Sequence, residues 1–335
     1  MKKVVCIGSA SKDIFILLDK TNVKENKKSL TEKRLMTFEF GAKVDAEGLA
    51  EEVGGSAVNV GAGLSLGGFK SFVFSRVSKN EVGKWIQKRI GRLKLKKNYI
   101  QARGAEPSAI SAIISDKENV DHTIIRTGDS TEKFDLEKAL SKFREKVDWI
   151  YVGSQKKNSV EKIGKIIDFA EKKKAKICFV PSGYQIKNNI KELKKYFNKF
   201  EVVFLNRDEA IEILQNLGVE FKDEPAELLQ KIKELGFAQV ALTDGAEGAY
   251  VSDGKVSFHL GIDETKKVET VGAGDAFVSG FLNSYIEEGD IKKGLAWGIA
   301  NSGGVLTQVG STKGLLKRKE LKVKERELVK RVKKI

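Results

Sequence analysis

Short apolar runs alternate with stretches of helical periodicity along most of this 335-residue chain. Predicted strands cover residues 4–8, 71–77, 149–153, 177–181, 202–206 and 239–243, and predicted helices cover residues 57–66, 82–93, 136–146, 160–173, 207–217 and 226–235. Because the apolar runs are continuous, the strands are expected to be covered on both faces, which is typical of parallel strands joined by helices. The sequence therefore predicts an α/β fold with a doubly wound, mostly parallel sheet.

Two segments, residues 15–43 and 109–126, interrupt this alternation. Within the second segment, residues 109–114 and 122–125 have the pattern of two strands around a polar turn. We interpret both segments as a small inserted β lid. The large α/β domain then comprises residues 1–14, 44–108 and 127–312. Ligands in open α/β sheets bind beside the carboxyl ends of the strands, so we expect the active site between the lid and the large domain.

The charge is unevenly distributed. The chain has 61 Lys and Arg against 46 Asp and Glu, a net charge of +15, and residues 313–335 alone carry a net +8. In that tail, Leu321, Leu328, Val332 and Ile335 recur at helical spacing, which predicts a basic C-terminal helix that docks through an apolar stripe. The alternative is an arm that binds RNA or lipid. We expect no nucleic-acid partner, because the remaining excess of Lys lacks clustered Arg and interleaved aromatic residues.

The cysteines and the absence of long apolar runs indicate the compartment. Cys6 and Cys178 each lie within an apolar run, where a buried free thiol is expected and a disulfide is not. No apolar run approaches the roughly 20 residues that a membrane-spanning helix needs, and no export signal is recognisable at the start. We therefore expect a cytoplasmic protein with no membrane partner.

A glycine-rich turn at residues 269–277, Glu-Thr-Val-Gly-Ala-Gly-Asp-Ala-Phe, leads into a predicted helix over residues 276–287. Glycines let the backbone approach a ligand closely, and the free N–H groups of a helix start attract anions such as phosphate. Asp275 could accept a proton from a substrate hydroxyl, as phosphoryl transfer requires. The alternative is an acidic residue that only complements the helix dipole.

A second glycine cluster contains Gly54 and Gly55 and is followed by Asn59. The two glycines could expose backbone groups to a polyol while Asn59 binds a hydroxyl. The alternative is that the small residues only permit close packing of a helix on the sheet.

The order of several short motifs resembles the ribokinase-like (PfkB) carbohydrate kinase family over residues 3–312. The most specific motif is Thr-Val-Gly-Ala-Gly-Asp at residues 270–275, which is similar to the C-terminal signature of that family. The other motifs are residues 8–13, the glycine cluster with Asn59, Asn-Arg-Asp-Glu at residues 206–209, and Thr-Asp-Gly-Ala-Glu-Gly at residues 243–248.

The resemblance implies roles for individual residues. It makes Asp275 the catalytic base, and it makes the N–H groups of Gly272, Ala273 and Gly274 an anion hole for the transferring phosphoryl group. Asn206 and Glu209 would position Mg²⁺ through water. The nucleotide would contact Thr243, Gly245, Gly248 and Asn301, and the acceptor hydroxyls would contact Asp13, Gly54, Gly55 and Asn59.

The activity implied is ATP-dependent phosphoryl transfer to a hydroxymethyl group of a sugar or sugar derivative, with ATP and Mg²⁺. One alternative is a nucleoside kinase on the same scaffold, and another is a non-catalytic binding or regulatory protein. The resemblance also raises K⁺ as a candidate cofactor, although Glu269 stands where the family more often has Asp. A homodimer formed through the lid is a further expectation.

Overall fold

A computed structural model of the protein describes residues 1–26, 29–31, 34–104, 106–128 and 130–335. The strands are β1 (Lys3–Ile7), β2 (Ser11–Leu18), β3 (Asn22–Glu25), β4 (Arg34–Thr37), β5 (Gly48–Gly54), β6 (Lys70–Val77), β7 (Ile100–Ala102), β8 (Ala109–Asp116), β9 (Asp121–Thr127), β10 (Trp149–Val152), β11 (Lys176–Phe179), β12 (Val202–Asn206), β13 (Val240–Thr243), β14 (Ala249–Ser252), β15 (Ser257–Leu260) and β16 (Lys333–Lys334). The helices are α1 (Ser56–Leu66), α2 (Glu81–Arg92), α3 (Leu136–Lys142), α4 (Ser159–Lys173), α5 (Gly183–Leu193), α6 (Arg207–Asn216), α7 (Pro225–Glu234), α8 (Ala273–Glu288), α9 (Ile291–Leu306) and α10 (Arg318–Arg331). None of these helices is long and apolar enough to cross a membrane.

The large sheet has the strand order β16-β15-β14-β13-β12-β11-β10-β1-β6-β7. Neighbours from β13 to β7 pair in parallel, whereas β14, β15 and β16 extend the sheet with antiparallel pairs. This arrangement confirms the predicted doubly wound, mostly parallel sheet. It also places the carboxyl ends of the parallel strands at a single edge, where the site residues that follow β1, β12 and β13 come together.

Apolar cores lie on both faces of the large sheet. Successive side chains of β1 alternate between them: Cys6 packs with α1, α8, α9 and α10, whereas Val5 and Ile7 pack with α3 to α7. Each of these side chains is fully buried. Cys6 and Cys178 are both free thiols, as predicted, and burial raises the pKa of each.

A second, four-stranded sheet has the order β5-β2-β8-β9, and β3 and β4 form a separate hairpin. We call the four-stranded sheet and this hairpin the lid. The sequence assigned residues 44–54 to the large domain, which is wrong for β5, because Gly48–Gly54 pairs along its whole length with β2. The sequence of β5 contains adjacent Glu51 and Glu52 and little apolar alternation, so its strand character comes from pairing with β2.

The two faces of the lid sheet differ in chemistry. Asp13 of β2 is paired in register with Ser111 of β8, which is paired with Arg126 of β9, so these three polar side chains lie on one face. All three line the same cavity beside the large sheet. The opposite face carries apolar side chains in solvent, including Leu49 at 67% exposure and Ile125 at 59%.

The C-terminal segment docks on the large domain mainly through α10. Leu321 and Leu328 are buried in the core, and Glu325 accepts a hydrogen bond from Trp297. The predicted apolar stripe is wrong at its end, because the helix stops at Arg331 and the chain turns into β16, which pairs with β15. Ile335 is therefore exposed and does not belong to the docked face.

Candidate active site

The start of α8 presents backbone N–H groups to a cleft. Gly272 caps this helix with φ +87°, and a Cβ there would lie 2.6 Å from Cβ of Ser311, so this left-handed position requires glycine. Ala273 N–H donates to the carbonyl of Thr270 at 3.2 Å. Ala273 is therefore not a free donor, contrary to the sequence prediction. Among the described residues, the N–H groups of Gly272, Gly274 and Asp275 have no acceptor.

Asp275 lies in the first turn of α8, beside these N–H groups. Its Oδ2 accepts a hydrogen bond from Nδ2 of Asn59 on α1 at 2.9 Å. Burial raises the pKa of Asp275 to about 6, the hydrogen bond from Asn59 opposes this rise, and the charge of Asp13 adds to it. The buried Oδ1 of Asn59 has no partner in the described part of the chain, so it remains available to a ligand hydroxyl.

Asp275 and Asn59 line a cavity of about 270 Å³ between the lid and the large domain, which we call the acceptor cavity. Asp13 also lines it, and its Oδ1 accepts a hydrogen bond from Ser11 Oγ at 2.7 Å. Burial raises the pKa of Asp13, while hydrogen bonds from Ser11 and Ser111 and the charge of Arg126 oppose the rise. The cavity therefore combines the carboxylates of Asp13 and Asp275 with hydroxyl and amide groups.

The two glycines of the second cluster have different roles. Gly55 lines the acceptor cavity with φ +97°, and a Cβ there would lie 2.5 Å from the carbonyl oxygen of Ser9. Gly54 does not line the cavity, because the carboxylate of Asp13 occupies the space that a side chain would need. The predicted contact between Gly54 and substrate is therefore indirect: Gly54 makes room for Asp13.

A larger cleft of about 600 Å³ lies on the other side of the α8 start, and we call it the nucleotide cleft. Its walls come from the end of β12, the loop after β13, the middle of α9 and the turn of the lid between β8 and β9. The lining residues include Asn206, Thr243, Gly245, Gly248, Ala273, Gly274, Phe277, Ile299, Ser302 and Gly303. Gly272 and Asp275 line the acceptor cavity, so the first turn of α8 contributes to both spaces.

Comparison with known proteins places this geometry in a family. The sequence model described as pfkB family carbohydrate kinase matches residues 1–318. The chain belongs to the pfkB family of carbohydrate kinases. As a member, it is an ATP-dependent kinase.

Its relatives are distant in sequence and close in fold. The ATP-dependent 6-phosphofructokinase of Thermoanaerobacterium thermosaccharolyticum is 25% identical over 285 residues, which cover 83% of this chain and 86% of that protein. The nucleoside kinase of Methanocaldococcus jannaschii superposes with a TM-score of 0.76 at 16% identity, over 98% of this chain and 99% of the other. The ribokinase of Arabidopsis thaliana, complexed with ribose and ATP, gives a TM-score of 0.74 at 16% identity, with coverage of 97% and 99%.

The structure does not bring Asn301 of this kinase into the nucleotide cleft. Its side chain is fully buried. Its Nδ2 donates to the carbonyl of Ala276 at 2.8 Å, and its Oδ1 accepts from the N–H of Leu316 at 2.9 Å. The predicted nucleotide contact is therefore wrong for Asn301, which joins α8 to the segment before α10. Ser302 and Gly303, the next residues along α9, face the cleft.

Asn206 and Glu209 form a capping box at the start of α6. Oδ1 of Asn206 accepts from the N–H of Glu209 at 2.7 Å, and Oε2 of Glu209 accepts from the N–H of Asn206 at 2.9 Å. Burial raises the pKa of Glu209 to about 7. No cluster of three or more metal-ligating side chains occurs in the described ranges. One amide and one carboxylate are too few to enclose Mg²⁺, so the pair could hold the ion only through its water ligands.

A buried carboxylate that the sequence analysis considered only in connection with K⁺ connects the lid to the start of α8. Glu269 is 3% exposed, its Oε1 accepts from the N–H groups of Thr270 and Val271 at 2.8 and 3.1 Å, and its other oxygen accepts from Ser115 of β8. His122 of β9 shares a 2.8 Å hydrogen bond with Thr270 Oγ1. Both oxygens of Glu269 already accept hydrogen bonds, so K⁺ could bind this carboxylate only by sharing those oxygens with the donors.

Arg126 and Lys156 also line the acceptor cavity of this kinase, and the sequence analysis missed both as site residues. A signal existed for Arg126: His122, Ile124 and Arg126 alternate along β9, so all three lie on one face. No such periodicity marks Lys156, which lies in the loop after β10.

Proposed function

We propose that this kinase transfers the γ-phosphoryl group of ATP to the hydroxymethyl oxygen of a sugar or sugar derivative, with Asp275 as general base. The observation that carries the proposal is that the start of α8 borders both the acceptor cavity and the nucleotide cleft. Asp275 faces the acceptor cavity, Gly274 faces the nucleotide cleft, and this turn has N–H groups with no acceptor among the residues that the structure describes.

The chemistry follows from these groups. The carboxylate of Asp275 accepts the proton of the acceptor hydroxyl while the acceptor oxygen forms a bond to the γ-phosphorus. The bond between that phosphorus and the bridging oxygen breaks, and ADP leaves. A pKa of about 6 keeps Asp275 ionised at pH 7 and suits a base working near neutrality. The N–H groups of Gly272, Gly274 and Asp275 would stabilise negative charge on the transferring group.

The nucleotide cleft suits ATP in size and composition. Its volume of about 600 Å³ lies in the usual range for ligand pockets, and Lys267 adds a positive charge to its lining. Mg²⁺, when bound, neutralises charge on the phosphates. Asn206 and Glu209 would orient its water ligands. The free buried thiols Cys6 and Cys178 support placing the kinase in the reducing cytoplasm.

A nucleoside is the second candidate acceptor. Ile113 and Ile124 of the lid line the acceptor cavity, and such apolar side chains could pack against a base. The polar side chains Asp13, Ser111 and Arg126 on the same lid face favour a hydroxyl-rich acceptor instead.

The test is an ADP-release screen of ribose, fructose, fructose 6-phosphate, 2-keto-3-deoxygluconate, adenosine, inosine and cytidine, with ³¹P NMR of the product. We expect a sugar or sugar derivative to be phosphorylated on its hydroxymethyl oxygen, with turnover lost in Asp275→Asn. Turnover confined to nucleosides would favour the second candidate. Absence of turnover with every acceptor, or full activity in Asp275→Asn, would contradict the mechanism.

We further propose that two copies associate through the solvent-facing side of the lid, where Leu49 and Ile125 are exposed. Leu49→Lys should convert the dimer to a monomer in light scattering after gel filtration. A monomeric wild-type protein would contradict this proposal.

A further inference from the structure

Arg126 lines the acceptor cavity from the lid, at a position that is exposed to solvent when the cavity is empty. It lies on β9 opposite Ser111 and on the same sheet face as Asp13, and it lines the cavity. Its positive charge is close enough to lower the pKa of Asp13. Within the described ranges, however, no carboxylate lies within 4 Å of its guanidinium, whereas the ion pairs of Arg34, Arg76 and Arg207 are all formed.

The two carboxylates of the cavity already have partners. Asp13 accepts hydrogen bonds from Ser11 and Ser111, and Asp275 accepts one from Asn59. Neither forms an ion pair with Arg126. The protein therefore places an extra cation in a cavity whose acids are already bound by neutral donors.

When an acceptor binds, the charge of Arg126 becomes unfavourable unless the ligand supplies a partner for it. A ligand that fills the cavity removes water from the guanidinium, and a charge that loses water without gaining a partner is strongly unfavourable. Sugar hydroxyls replace this hydration only in part. The planar guanidinium fork matches a carboxylate or a phosphate, which accept two parallel hydrogen bonds. Lys156, from the loop after β10, also lines this cavity.

We propose that the acceptor carries an anionic group, a phosphate monoester or a carboxylate, at the end remote from the reacting hydroxymethyl group, and that Arg126 binds it. This inference rests on the proposed function, because it takes the acceptor cavity as the site of the hydroxyl that is phosphorylated. Arg126 then determines acceptor specificity, while Asp275 performs the proton transfer.

The first arm of the test measures turnover. Wild-type kcat/KM is compared for fructose 6-phosphate against fructose, and for 2-keto-3-deoxygluconate against glucose. We expect an anionic acceptor to be preferred. Arg126→Gln should lower kcat/KM for that acceptor by roughly 10- to 100-fold, the usual loss for a charge-assisted contact, with little change for its neutral counterpart. Arg126→Lys should recover part of the loss, and Arg92→Gln, at an exposed position near the end of α2, is the matched control.

The second arm measures binding without ATP, from the shift in melting temperature caused by the same four compounds. The preferred anionic compound should stabilise the wild type and the Arg92→Gln control but not Arg126→Gln. The phosphate and carboxylate probes show which anion fits.

The outcomes separate the two proposals. Stabilisation by an anionic probe that depends on Arg126, without turnover of any acceptor, would retain the anion site and contradict the proposed transfer. Equal use of neutral and anionic acceptors, an equal loss for both in Arg126→Gln, or no stabilisation by either anionic probe would overturn the anion site.

Discussion

The acceptor cavity and the nucleotide cleft meet at the first turn of α8, yet they offer a ligand different atoms. The acceptor cavity presents charged side chains, Asp13 and Arg126 from the lid and Asp275 from α8. The nucleotide cleft presents loop and helix backbone around glycines such as Gly245, Gly248 and Gly274, and most of its charged side chains are engaged in ion pairs, Arg34 with Asp121 and Asp263 with Lys324.

This difference means that substitutions should affect the two spaces differently. A single substitution changes a side chain but leaves backbone N–H and C=O groups in place, so acceptor choice can change while nucleotide binding persists. The lid supplies much of the acceptor surface and little of the large core, so its side chains can be replaced at low cost in stability. The following predictions test whether the two spaces are as separable as this comparison requires.

The largest effect is expected at the residue that connects the two spaces chemically. Asp275→Asn keeps the shape of the side chain but removes the proton acceptor, so kcat should fall by about 10² to 10⁴. Affinities for acceptor and ATP, measured by calorimetry, should remain close to wild type. A kcat near the wild-type value would contradict the role of Asp275, and a loss of ATP affinity would show that the two spaces are coupled.

A matched pair of glycine substitutions tests the separation directly. A Cβ at Gly54 would collide with the Asp13 carboxylate, and one at Gly248, where φ is +93°, would collide with the carbonyl oxygen of Leu260. Gly54→Ala should raise the acceptor KM by about tenfold and Gly248→Ala the ATP KM by a similar factor.

Each member of this pair is the control for the other, because both introduce one methyl group beside a cavity. Melting temperatures of both variants identify any general loss of folding. A variant that raises the KM for acceptor and the KM for ATP equally would contradict the separation of the two spaces.

The pH profile of kcat/KM should show the ionisation of Asp275. Because Asp275 must be ionised to accept a proton and its pKa is about 6, kcat/KM should fall about tenfold for each pH unit below that value. Asn59→Ala removes the hydrogen bond that lowers this pKa, so its acidic limb should move to higher pH. An unchanged limb in Asn59→Ala would show that another group controls it.

The raised pKa of Asp275 also predicts a stability effect. The folded protein holds this proton up to about pH 6, while the unfolded chain releases it near 3.8, so this group costs stability as pH rises through that interval. Asp275→Asn should therefore melt at a higher temperature than wild type at pH 7.5, and the gain should shrink at pH 4. Calorimetric melting at both pH values tests this, and a variant less stable at pH 7.5 would contradict it.

The smallest effect is expected on the nucleotide side. Glu209→Gln preserves the size of the side chain but removes its charge, so the Mg²⁺ concentration for half activity should rise by about two- to fivefold, as a water-mediated contact implies. Turnover at saturating Mg²⁺ should persist, and Glu192→Gln, at an exposed position of α5, is a control. An unchanged Mg²⁺ titration would leave Glu209 only its capping role.

The sequence predicted the large sheet and the α8 turn because local patterns determine both. Continuous apolar strands such as β1 and β10 require cover on both faces, and the glycines around Asp275 specify a helix start. The membership of β5 in the lid depends on pairing with β2, which is 30 or more residues away along the chain and leaves no periodic signal.

Individual side chains were harder to predict, because their roles depend on contacts distant in sequence. The amide of Asn301 binds Leu316 and Ala276 and does not face the nucleotide cleft. Arg126 reaches the acceptor cavity only because β9 pairs with β8. Neither contact can be predicted from neighbouring residues, whereas the capping box of Asn206 and Glu209 follows from their spacing.

The two ends of the large sheet have a consequence for behaviour at high concentration. An exposed strand edge is a template on which another chain can build a sheet, the first step of many aggregation reactions. Here one end is β7, with 3 residues, and the other is β16, with 2 residues, both lysines. A second molecule that extended the sheet at β16 would gain few hydrogen bonds and would bring the ammonium groups of both copies together. The ends of this sheet therefore resist edge-to-edge polymerisation.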